Sequence, residues 1–197
     1  MLIEHHNRGI KIIDIRKARI RDRKMTYNWL YYSDFSDYLN DLGGISKEAI
    51  PSYEYYKKEE YMDFYFDDSQ PDKGRAYIIV CKKNGKIEDI GIISYTSFHL
   101  LDKITEFDIW LKKLSLTGQG YGTKALLRLV ETVRDLGYEK VIIRPSKHNK
   151  RAIKSYQKAG FIQEELEPKN YYLSEYLPKY SDGDYESGGD VFMVLKL

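Results

Sequence analysis

Apolar and polar positions partly alternate between Ile10 and Ile20 (IKIIDIRKARI), an Ile-rich run that reads as a first strand. The period then lengthens. Met25, Trp29 and Leu30 stand at helical spacing and predict a helix over about 22–32. Asp41-Leu42-Gly43-Gly44 breaks the chain. Ser46 is placed to cap a short helix that Pro51 limits. A second long helix is predicted from Tyr53 to Phe66, ended by Pro71-Asp72-Lys73-Gly74. Two β-rich runs, Arg75 to Lys83 and Lys86 to Leu100, flank Asn84-Gly85 and read as a hairpin. Ile104 to Lys113 is a further strand. After a glycine-rich stretch, Ala125, Leu126, Leu129, Val130, Val133 and Leu136 fall on one face of a helix that stops at Gly137. Lys140 to Arg144 reads as a buried strand, and Pro145 ends it. Asn149 caps a last helix running to Ala159 and Gly160. Phe161 to Glu167 and Val191 to Leu197 complete the strands, with a long tyrosine-rich loop between them.

This order predicts an α/β (α+β) fold with about seven strands and four or so helices. At 197 residues, without an internal repeat or linker, residues 1–197 read as one domain, with 1–9 a loose end. The net charge of +2 names no partner, and the 19 tyrosines argue against disorder. Cys81, the single cysteine, excludes an internal disulfide and reads as a small core residue. His5, His6, His99 and His148 have no metal-ligand spacing, so no metal is expected. No leader opens the chain and no apolar run is long enough to span a bilayer, so the expectation is a cytoplasmic protein, monomer or homodimer, with no membrane partner.

The candidate chemistry begins with Gly118, Gly120 and Gly122, alternating at the start of a helix. Such a loop brings backbone N–H groups close to a bound anion, naturally a phosphate or pyrophosphate. It is not a P-loop, because Gly122 is followed by Thr123-Lys124 rather than Lys-Ser/Thr. It is not the dinucleotide fingerprint either, because Thr123 stands where the third glycine belongs.

Gln119-Gly120-Tyr121-Gly122-Thr123 and Asn149-x-x-Ala152-x-x-x-Tyr156-x-Lys158-x-Gly160-Phe161 together resemble the GCN5-related N-acetyltransferase (GNAT) family. The resemblance spans most of the chain and implies a mixed sheet splayed open at an acetyl-CoA site. It implies that the loop amides from about Leu116 to Thr123, through Gly118, Gln119, Gly120, Tyr121 and Gly122, hold the pyrophosphate, while the open strand edge from about Ile109 to Leu116, Leu114 included, meets the pantetheine arm together with Asn149 and Tyr156. It also implies that Tyr156 protonates the departing thiolate. A phenol of ordinary pKa about 10 suits a thiolate of similar basicity. One departure stands out. The common loop pattern opens with Arg or Gln where this chain has Thr117. The chain is most similar to the aminoglycoside 6′-N-acetyltransferase branch, which often lacks that residue and places an Asp, here Asp108, ten positions before Gly118.

Asp108 alternates with Glu106, so both carboxylates point to one face of their strand. A carboxylate near a thioester can hold an ammonium and take its proton before the amine attacks. Asp108 is the first candidate and Glu106 the second; a solvated strand face or a structural salt bridge is the alternative for both. Charge is uneven along the chain. Lys112, Lys113, Lys124, Arg128, Arg144, Lys147, Lys150, Arg151 and Lys154 surround the expected cofactor segment, so they are not read as a nucleic-acid surface. Asp34, Asp37, Asp41, Glu54, Glu59, Glu60, Asp63, Asp67 and Asp68 are interleaved with aromatics and suit a cationic small molecule. The expectation is an acetyl-CoA-dependent N-acetyltransferase for such an amine, best the 6′-amine of an aminoglycoside. The alternatives are a protein N-terminus, a polyamine or a siderophore-like amine as acceptor, or a non-catalytic acyl-CoA-binding regulatory module.

Overall fold

The computed structural model describes residues 10–34, 36, 47–180 and 190–197. Its strands are β1 (Ile12–Lys17), β2 (Gly74–Lys83), β3 (Lys86–Thr96), β4 (Ile104–Leu111), β5 (Lys140–Ile143), β6 (Ile162–Gln163) and β7 (Met193–Lys196). They form one mixed sheet in the order β1-β2-β3-β4-β5-β7-β6. Asn84 and Gly85 close the β2–β3 hairpin with φ of 49° and 74°, the left-handed pair that a tight two-residue turn requires. The long helices are α1 (Arg23–Tyr32), α2 (Tyr121–Asp135) and α3 (Lys150–Lys158).

Both faces of the sheet are covered. Neighbouring residues on a strand point to opposite faces, yet Ile78 and Ile79 are each 0% exposed. Ile79 packs with Leu126, Leu129 and Val133 of α2. Ile78 packs with Tyr27 of α1 and with Tyr56, Tyr61 and Phe66. A third cluster joins Leu100, Ile104 and Ile142 to Tyr171 and Tyr172.

The feature that positions the site is a parting of strands. β4 pairs in parallel with β5 only from Ile104↔Lys140 to Glu106↔Ile142. Phe107 to Leu111 continue β4 along β3 alone, and Pro145 follows the end of β5 without an N–H to donate. A wedge therefore opens beside the second half of β4.

Several expectations are corrected. The predicted long helix from Tyr53 to Phe66 is broken into a short α turn at Tyr53–Tyr55, a π turn at Tyr56–Glu60 and a short helix at Phe64–Asp67. The amide of Tyr61 donates to the carbonyl of Tyr56 at 2.7 Å, five residues back, and the two rings stack at 5.2 Å. An α-helix would turn these rings well apart; the wider π turn superposes them in the core. Leu136 lies past the buried face of α2 and is 53% exposed. The strand expected over Phe161 to Glu167 pairs only at Ile162–Gln163, and the first strand is trimmed to Ile12–Lys17. The expected loop after it is ordered as far as Tyr180, with Tyr172 bridged to Leu100. Ser46 and Gly43-Gly44 lie outside the described residues.

Candidate active site

The glycine loop is built by backbone conformation. Gly118 and Gly120 have φ of 73° and 78°, and nothing lies within 4 Å of where their Cβ atoms would stand. The glycines serve the positive φ rather than space. They bring the chain into α2 with no side chain capping it and no acidic residue in its first turn. Its leading amides are left for a ligand, and the helix dipole favours an anion there.

The loop walls a cavity of about 270 Å³. Leu116, Gly118, Gly120, Tyr121, Gly122 and Thr123 line it from the loop, Ile109 and Leu111 from the parted stretch of β4, and Asn149 and Tyr156 from the other side. Asn149 caps α3, its Oδ1 accepting from the Ala152 amide at 3.0 Å. Thr123 and Ser155 hydroxyls meet at 2.9 Å and tie α2 to α3. Arg151, Lys154 and Lys158 share one face of α3 and border the cavity. The guanidinium of Arg151 donates to Thr117 Oγ1 at 2.7 Å. A cation thus reaches, from α3, the loop position where the family's pattern has Arg or Gln. These uncapped amides, the basic face and the open strand edge fit a pyrophosphate followed by an amide-bearing arm.

Two expected loop residues do not line this cavity. Leu114 is 39% exposed, with its amide given to Asp34. The Gln119 side chain is turned to the opposite side of the loop, donating to the Ser115 carbonyl and accepting from the Tyr121 hydroxyl, both at 2.8 Å.

A second cleft, of about 550 Å³, lies on the other side of the wedge. Ile109, Asn149 and Tyr156 line both spaces, so the two meet at Tyr156. Glu59, Glu60, Glu106 and Asp108 give this second cleft carboxylate walls. Its arginine, Arg144, is ion-paired with Asp190 at 2.8 Å, and both side chains are 5% exposed. Glu106 Oε2 is 2.9 Å from the Nε2 of buried His99. Asp108 is exposed to the cleft, and the Tyr61 hydroxyl donates to its Oδ2 at 3.0 Å. Tyr61 thus stands beside Asp108 in the second cleft, and Tyr156 lines the wall that both spaces share.

Of the residues expected from the sequence, Asn149 and Tyr156 line both spaces, most of the loop lines the first, and Glu106 and Asp108 line the second. Sequence reasoning missed Tyr31, Tyr61 and His99, each of which holds a cleft carboxylate. Tyr61 carried no signal because it sat inside a helix read at the wrong period. Three of the acidic segment's carboxylates are used elsewhere in ion pairs: Glu54 with Lys57, Asp63 with Arg23, and Asp68 with Lys17 and Arg75. Asp37 and Asp41 lie outside the described residues. Among the described residues no group of His, Cys, Asp and Glu could hold a metal ion, and no helix is long and apolar enough to cross a membrane.

Comparison with known proteins agrees with this geometry. The acetyltransferase (GNAT) domain family matches residues 13–162. No curated protein matches the chain in sequence. Among solved structures it is similar to a domain from Methanocaldococcus jannaschii, with a TM-score of 0.64 and 18% identity over 95% of this chain and 100% of that one. It is similar to the PaiA N-acetyltransferase of Thermoplasma acidophilum in complex with coenzyme A, with a TM-score of 0.63 and 20% identity over 94% and 99% of the two chains. It is also similar to the aminoglycoside acetyltransferase AAC(6′)-Ib in complex with coenzyme A and kanamycin, with a TM-score of 0.62 and 23% identity over 94% and 95%. At these identities the structures speak for the fold. The loop at the head of α2, the parted strands and the family match together establish that this chain belongs to the GNAT family, as an N-acetyltransferase that uses acetyl-CoA.

Proposed function

We propose that the acceptor is a polycationic small molecule, best the 6′-amine of an aminoglycoside. The observation that carries this reading is the charge of the second cleft: four carboxylates line it, and its arginine is already neutralised by Asp190. Glu60 is the clearest case. Burial pushes its carboxyl above the usual range, opposed only by the Tyr31 hydroxyl, which bonds its two oxygens at 2.8 and 2.7 Å. No cation offsets that burial among the described residues. An ammonium on the acceptor would do so.

Acetyl-CoA supplies the acetyl group as a thioester. Asp108 holds the reacting ammonium and takes its proton, directly or through one water. The freed amine then forms the new C–N bond as the C–S bond breaks. Tyr156, at the wall shared by both spaces, gives its hydroxyl proton to the departing thiolate, and the second proton that the acylated nitrogen sheds restores the phenol through water. Glu106 is held by His99 and sits one strand repeat from Asp108, where it adds negative charge for the cation rather than taking the proton. Glu60 binds a second ammonium. Arg151 steadies the pyrophosphate in place of a loop arginine.

Two expected results separate these roles. Arg151→Ala raises KM for acetyl-CoA about tenfold and leaves KM for the acceptor unchanged. An effect on the acceptor alone would assign Arg151 elsewhere. Glu60→Gln raises KM about tenfold for a polycation and little for a monoamine. The wild-type KM for the polycation also worsens as pH falls, because Glu60 takes a proton while the ammonium keeps its charge. Burial places that change above the usual carboxylate range, and Glu60→Gln flattens it. A polycation KM that is insensitive both to pH and to Glu60→Gln contradicts the assignment.

A thiol-release assay against aminoglycosides, polyamines and short peptides tests the acceptor class. Turnover confined to peptides overturns it. Tight acetyl-CoA binding without turnover on any amine moves the chain to the regulatory reading.

A further inference from the structure

Tyr61 closes the π turn, and its ring is packed on all sides, stacked on Tyr56 and edge-on to Trp110 at 5.4 Å. It belongs to a buried aromatic cluster in which the Tyr56 and Tyr65 hydroxyls bond Thr26 and Thr96 instead. The Tyr61 hydroxyl lies 3.0 Å from Asp108 Oδ2 and 2.9 Å from Ser94 Oγ. Ser94 is 0% exposed and stands directly opposite Asp108 in the β3–β4 register. A phenol has a single proton to give, and a carboxylate can only accept. The directions follow: Ser94 donates to Tyr61, and Tyr61 donates to Asp108. Burial first, then the charge of Asp108, push the Tyr61 phenol well above its ordinary range, so it remains a donor throughout the working pH.

The geometry points to Tyr61 as a positioning residue for acetyl transfer, its hydroxyl fixing the Asp108 carboxylate toward the shared junction and Ser94 fixing that hydroxyl. This rests on the reading of Asp108 as the group that takes the amine's proton. A hydrogen bond to the charged form favours that form. Removing the donor therefore makes the carboxylate easier to protonate and freer to turn. The other charged or titratable groups of the cleft are Glu59 and Glu60 from the π turn, Glu106 from β4, His99 after β3 and Arg144 after β5. The phenols of Tyr31, Tyr65 and Tyr156 also face it, and Tyr56 lies close enough to sense the Asp108 charge. All of these remain when Tyr61 is changed to Phe.

The test is kcat/KM against pH with one good acceptor, for the wild type, Tyr61→Phe, Ser94→Ala and Asp108→Asn. Tyr61→Phe keeps the ring packing. It is expected to move the acidic limb up by about one pH unit and to lower the plateau about tenfold, with KM for acetyl-CoA unchanged. Ser94→Ala should move both in the same direction by less, and it serves as the test if Tyr61→Phe does not fold. A folded Tyr61→Phe with a wild-type limb and plateau, while Asp108→Asn is crippled, overturns the positioning role. A fully active Asp108→Asn overturns the reading of Asp108 itself, and the role of Tyr61 with it.

Discussion

Asparagine in place of Asp108 is expected to lower kcat/KM a hundredfold to a thousandfold near neutral pH, on the order of the contribution of a placed general base. The substitution keeps the size of the side chain and an oxygen that can still accept from Tyr61. It removes the negative charge that holds an ammonium and the basicity that takes its proton. Because Asp108 is exposed to the cleft rather than packed in the core, folding should be unaffected. The deficit has a direction with pH. As pH rises, more of the acceptor is present as free amine and needs no base, so the variant should gain on the wild type. Measured thiol-release rates from neutral to alkaline pH would show the gap narrowing. Full activity across that range would remove Asp108 from the reaction.

Tyr156→Phe should lower kcat about a hundredfold with little change in KM for either substrate, because its hydroxyl acts only as the C–S bond breaks. Tyr156 is 7% exposed, and its ring lies 6.2 Å from that of Phe161, so phenylalanine preserves the packing. The loss should depend on the leaving group. A thioester of a more acidic thiol needs its proton less, so the variant should recover toward the wild-type rate with such a substrate. An equal loss with both thioesters would mean that the hydroxyl orients groups rather than donating a proton.

The parts of this architecture that were legible in the sequence are those governed by local rules. Asn84-Gly85 requires a hairpin turn, Asn149 caps α3 through its own side chain, and Gly118 and Gly120 mark positive φ at the head of α2. Asp108 and Tyr156 were singled out by their spacings to those landmarks, and both line the second cleft. The part that was not legible depends on contacts between distant segments. The π turn exists because Tyr56 and Tyr61 stack inside the aromatic cluster, and a helical period read along 53–66 passes over that preference. With it went Tyr61's contact to Asp108. Charge was misread for a similar reason: a run of acids looks free in a linear chain, whereas Asp63 and Asp68 meet arginines from α1 and β2. Only Glu59 and Glu60 of the acidic run reach the cleft among the described residues.

The central claim is that a cationic amine is acetylated where the two spaces meet at Tyr156. The most direct measurement compares thiol release from acetyl-CoA with a kanamycin-type aminoglycoside and with its analogue bearing a hydroxyl in place of the 6′-amine. The account predicts fast release with the first and almost none with the second, since Asp108 then has no ammonium to hold or deprotonate. Equal release with both, or release with neither while acetyl-CoA binds tightly, would contradict it.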